Sequence, residues 1–173
     1  MANGPLVKAD EAAIARKMDP DRELEVAPGR AVKKWARGEA TLQELKGYSA
    51  EELFAISSQG YTLFLNGKVR DAQIIFEGLV AIDPRNDYYY RALGVVYHRQ
   101  GDAERALRQF THAITVAPKS AAAYVNRAEV HISRRDTNAA LQDLEMAIQV
   151  SRDLAHPIAR KALALRSLLR RRR

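Results

Sequence analysis

The chain is predicted to be all-α: a solenoid of three helix-turn-helix repeats, with a short helical segment before them and a closing helix after. Three observations lead there. A frame of small and apolar residues recurs every 34 positions, as in Gly60, Gly94 and Ala128, or Ala72, Ala106 and Ala140. Punctuation falls at matching places, with Gly67 and Gly101 in mid-unit and Pro84 and Pro118 at the ends. A serine capping box, Ser49 to Glu52, opens the frame by satisfying free backbone NH groups on both sides.

The elements follow in order. Residues 1–30 are polar and broken by Pro5, Pro20, Pro28 and Gly29, which suits a flexible N-terminal arm. Residues 31–50 carry Val32, Trp35, Leu42 and Leu45, an N-terminal helical segment interrupted near Gly38. The repeat domain is expected over 51–169. Its repeats span 53–86, 87–120 and 121–154, and a capping helix at 157–169 begins on Pro157, whose missing NH is harmless in a first turn. Helix A of the first repeat runs from Ser49 to about Asn66, and helix B from Val69 to Ile82, ahead of Asp83-Pro84. Asp102 and Ser120 are candidate caps of the next helices. In the third repeat Asp136-Thr137 stands in for the glycine turn, and Arg127, Arg135 and Arg152 replace the expected Leu, Gly and Pro.

Small residues at Gly60, Gly94 and Ala128 face Ala72, Ala106 and Ala140, so paired helices approach closely. Phe76, Phe110 and Leu144 fill the space beside them. These positions define packing and carry no chemistry.

Composition narrows the function. There is no cysteine, which excludes disulfides, thiolate metal sites and cysteine nucleophiles. No stretch has the apolar length of a membrane span, and no signal peptide is evident, so a cytoplasmic location is expected. Net charge is +7, but the repeat body is balanced: residues 155–173 hold seven Lys/Arg and no acid. The basic tail, with Arg166, Arg170, Arg171, Arg172 and Arg173, could attract phosphate or an acidic partner. Without interleaved aromatics, it argues against specific nucleic-acid recognition. The four histidines fall at unrelated frame positions, no phosphate loop or cofactor motif exists, and no catalytic constellation assembles. No cofactor and no enzyme activity are expected.

Binding residues are expected on helix A, which lines the inner wall of such a solenoid. In the first repeat these are Phe54, Ser57, Tyr61, Phe64 and Leu65; in the second, Tyr88, Arg91, Val95, His98 and Arg99. The third contributes Ala122, Val125, Glu129, Ile132 and Ser133. The wall starts apolar and aromatic and becomes more polar, pointing to an apolar ligand on repeats one and two. Within Tyr88-Tyr89-Tyr90, Tyr88 should face the groove, Tyr89 the neighbouring repeat and Tyr90 the core. An N-terminal helix folded over the cluster is the competing reading.

Leu93-Gly94-x-x-Tyr97, Ala106-x-x-x-Phe110 and Pro118 reproduce the tetratricopeptide (TPR) pattern. The run from Thr41 through Ser49-Ala-Glu-Glu52, Gln59-Gly-Tyr-Thr-Leu-Phe64 and Phe76 to Pro84 further resembles the small TPR chaperones that escort type III secretion translocators. That resemblance covers residues 41–169. It implies a groove holding an extended apolar segment of a secreted translocator, on Phe54, Tyr61, Phe64, Leu65, Tyr88 and Val95. It also implies a homodimer through the N-terminal helix, around Trp35. A scaffold assembling a bacterial complex through its outer surface and basic tail is the alternative.

Overall fold

The computed structural model describes residues 39–171. They form eight helices: α1 (Leu42–Lys46), α2 (Ala50–Leu65), α3 (Val69–Ile82), α4 (Asp87–Arg99), α5 (Ala103–Val116), α6 (Ala121–Ser133), α7 (Thr137–Val150) and α8 (Pro157–Arg171). Helices α2–α3, α4–α5 and α6–α7 are the three hairpins, and α8 closes the stack against α6 and α7. The fold is the all-α solenoid the sequence predicts. Trp35, Arg172 and Arg173 lie outside the described residues, as does the N-terminal arm.

Local chemistry sets the boundaries. Ser49 Oγ accepts from the Glu52 backbone NH at 3.1 Å, while the Ser49 NH donates to the Glu52 carboxylate at 2.9 Å. A second capping box, unforeseen from the sequence, starts α1: Thr41 and Glu44 exchange the same two bonds. Asn86, Asp102 and Asp136 cap α4, α5 and α7 through side-chain oxygens. Ser120 precedes α6 but makes no side-chain cap bond. Its hydroxyl instead donates 2.9 Å to Asp87 on α4, tying the second repeat to the third.

The turn inside each of the three hairpins uses the left-handed region, as does Gly47 at the end of α1. Gly67 and Gly101 have φ of 76° and 82°, and the matching residue of the third repeat is Arg135, at φ 61°. Asp136-Thr137 therefore does not replace the glycine turn. The arginine itself adopts the conformation that glycine adopts without strain.

Two clusters of buried side chains fill the interior. The larger joins Leu53, Phe76, Leu79, Tyr89, Leu93, Tyr97 and Phe110; the other joins Tyr124, Val125, Ala128, Leu144 and Ala162. Each fully buried phenylalanine contributes about 2–3 kcal/mol. At Gly94 an added Cβ would lie 2.5 Å from Phe110 Cε1, and at Gly60 it would lie 2.8 Å from Ile75 Cγ2. In the third hairpin Ala128 faces the smaller Leu144, so a methyl appears where the ring is missing.

Candidate functional site

One face of α2 stays open. Phe54, Ser58, Tyr61, Thr62 and Leu65 recur at helical spacing along it, and Phe54, Tyr61 and Leu65 are 72%, 52% and 64% exposed. Across from its first half lie Tyr88 and Tyr89 at the start of α4. The two walls bound an open hollow of about 630 Å³, with Gln43, Asp83 and Asn86 on its rim.

The polar side chains on the α2 wall are turned back on their own helix. Ser57 Oγ and Ser58 Oγ both donate to the Phe54 carbonyl, at 2.8 and 2.9 Å, and Thr62 Oγ1 donates to the Ser58 carbonyl at 2.9 Å. Their hydroxyls are thus occupied, and the wall presents mostly carbon. Ser57 itself is buried.

The opposing wall is held in place. The Arg91 guanidinium lies over the Tyr88 ring at 5.6 Å, and Asp87 Oδ2 accepts from Arg91 Nε at 2.8 Å. Tyr89 meets Tyr88 edge to face at 5.9 Å. Burial raises the Tyr89 phenol above its ordinary pKa, with Asp83 and Tyr88 adding to the effect. Tyr88 is therefore an oriented ring with one exposed side, suited to an apolar contact at little entropic cost.

The structure brings Phe54, Ser57, Tyr61 and Tyr88 together around the hollow, and adds Tyr89, Ser58, Thr62, Asn86 and Gln43. Spacing could have found Ser58 and Thr62, which lie four and eight residues from Phe54. Phe64 is half-buried and packs on the first core. Leu65, Val95, Arg91 and His98 lie on the same two helices but not around the hollow.

Two expectations need correction, and the arginines of the basic tail are divided in their surroundings. Tyr89, not Tyr90, is the buried member of the tyrosine run; Tyr90 is half-buried and stacks on His112 at 5.6 Å. Val125 is fully buried in the cluster that contains Ala162 of α8, so it is no part of an open wall. Arg170 is helical and its guanidinium pairs with Glu145 at 2.7 Å, while Arg166 is half-buried and Arg171 exposed.

Among the described residues no group of three His, Cys, Asp or Glu side chains could hold a metal ion, and no buried side-chain polar atom lacks a partner. No helix there is long and apolar enough to cross a membrane. The exposed large side chains around the hollow are apolar or aromatic: Phe54, Tyr61 and Tyr88.

Stacked helical hairpins with this small-residue frame and an open inner wall define a helical-repeat solenoid. The tetratricopeptide repeat model matches residues 58–110 and 93–156, more than half of the sequence, and the chain belongs to that family. Tetratricopeptide repeat protein 36 of Danio rerio is 42% identical over 78 residues, which are 45% of this chain and 41% of that protein. The match thus spans less than half of the curated relative's length. Among solved structures, the type III secretion translocator chaperone SycD of Yersinia enterocolitica superposes with a TM-score of 0.69 at 18% identity, covering 75% of this chain and 98% of that one. PcrH of Pseudomonas aeruginosa, solved with the chaperone binding region of PopD, gives 0.66 at 23% identity, covering 73% and 96%. The fold is shared with these chaperones from end to end of their chains.

Proposed function

We propose that the protein is a non-enzymatic, cytoplasmic secretion chaperone that holds an extended apolar segment of a secreted partner between α2 and α4. The observation that carries this reading is the hollow bounded by Phe54, Tyr61, Tyr88 and Tyr89, with Phe54 mostly exposed. Two features support it. The hydroxyls of Ser57, Ser58 and Thr62 donate within their own helix, so extended backbone would find its polar partners at the Tyr61 hydroxyl and on the rim at Gln43 and Asn86. The solved structures that share this fold include SycD of Yersinia enterocolitica in complex with a peptide of the translocator YopD. An occupant side chain buried on these rings would gain about 2–3 kcal/mol.

The test is a fluorescence titration with a panel of extended apolar peptides, the chaperone binding region of PopD among them. Phe54→Ala and Tyr61→Ala should each weaken the best binder about tenfold or more, with an unchanged unfolding midpoint. Full affinity in both folded variants sinks the assignment.

A further inference from the structure

We propose that the outward face of α8 docks on an anionic phospholipid bilayer. Residues 155–173 contain seven Lys/Arg and no acid. On α8, Arg160, Ala164, Ser167, Leu168 and Arg171 are all exposed and share one face by helical spacing. Arg160 and Arg171 mark its two ends, about 16 Å apart along the axis. Two other cations are already neutralised on the flanks, Lys161 by Glu129 at 2.8 Å and Arg170 by Glu145 at 2.7 Å. Of the described cations that remain, Arg160 and Arg171 stand on the outward face, and Arg166 is half-buried off it.

Apolar side chains choose between partners. Leu168 is 47% exposed among these cations, and Leu154, in the turn leading into α8, is 53% exposed. On a sugar-phosphate backbone both leucines would stay wet. At a bilayer they enter the headgroup layer while the arginines meet lipid phosphates. Residues 152–173 hold no Phe, Tyr or Trp on which a base could stack, which removes the usual single-strand platform. Asp153, the nearest acid in sequence, accepts from the Ala155 NH at 2.8 Å. The face also lies on α8, whereas the hollow lies between α2 and α4 in the first two repeats, so a bilayer-bound chain keeps its groove free.

The full chain is sedimented with vesicles of phosphatidylcholine alone or mixed with phosphatidylglycerol, at low and at physiological salt. Binding is expected to the mixed vesicles only, and to weaken as salt rises. Arg160→Glu with Arg171→Glu should lower the affinity about tenfold or more. Leu154→Ser with Leu168→Ser should lower it several-fold. All four side chains are exposed, and a circular dichroism melt checks that the fold stands. No binding to mixed vesicles at low salt overturns the proposal, as does full affinity in the charge-reversed variant. Unchanged affinity in the leucine variant also overturns it, and assigns the face to a polyphosphate such as RNA, added as a competitor in the same assay.

Discussion

Arg127 grips Asp143 with two parallel hydrogen bonds, Nε donating at 2.9 Å and Nη2 at 2.7 Å, across the third hairpin. Asp143 is only 5% exposed, and the third arm of the arginine, Nη1, donates to Thr111 of the second repeat at 3.0 Å. His131 stands nearby, its Nε2 3.9 Å from the same carboxylate. The hydrogen bonds to Asp143 raise the arginine's pKa against its partial burial. Removing the arginine leaves a buried carboxylate unpaired. Arg127→Met should cost about 3 kcal/mol, whereas Arg127→Leu with Asp143→Leu should recover most of the loss. Urea midpoints of the three proteins decide it, and equal midpoints for wild type and Arg127→Met would show the pair to be ornamental.

Arg135 holds a conformation that its two counterparts assign to glycine, and its side chain is exposed. Arg135→Gly relieves the backbone and gives up no buried contact. The change should stabilise the chain by about 0.5–1 kcal/mol, even after the extra freedom glycine has when unfolded. A thermal midpoint that falls instead would mean the arginine is held by something stronger than its turn.

Tyr97 donates 2.6 Å to Glu77 across the first two repeats, and the Arg105 guanidinium lies over its ring at 4.6 Å. Burial, then the bond to Glu77, raises its phenol above 10.0. The folded state thus keeps a proton that the unfolded chain gives up first. Its contribution is complete below the ordinary tyrosine value and is lost as pH climbs through the raised one, so stability should fall as pH rises above about 10. Burial shifts Tyr89 and Tyr90 the same way. Tyr97→Phe should start about 1 kcal/mol lower near neutrality and lose less on the alkaline side. Parallel alkaline slopes would remove Tyr97 from the account.

The repeat frame was legible because it is made of volumes. Gly60, Gly94, Phe76 and Phe110 must sit where they do for two helices to touch, and their spacing survives in the string of letters. The hollow was half legible. Phe54, Tyr61 and Tyr88 are apolar where a helix should be wet, but the frame places Cβ atoms and not rings. It could not tell that Tyr89 turns inward while Tyr90 lies flat on His112. Nor could it show that Phe64 leans into the core, or that α8 buries Val125. Those outcomes depend on neighbours distant in sequence. Asp143 is the sharpest case, since a lone aspartate inside an amphipathic helix reads as solvent-facing until Arg127 is placed beside it.

The empty place beside Gly94 has a wider reach than its own hairpin. With a Cβ there 2.5 Å from the Phe110 ring, the gap between α4 and α5 is gauged by a missing methyl group. That gap sets the tilt each hairpin hands to the next, and the summed tilts bend the solenoid. The curvature of the inner wall is thus ruled in part by atoms that do not line it, and a single carbon at this position would change how the second hairpin seats between its neighbours.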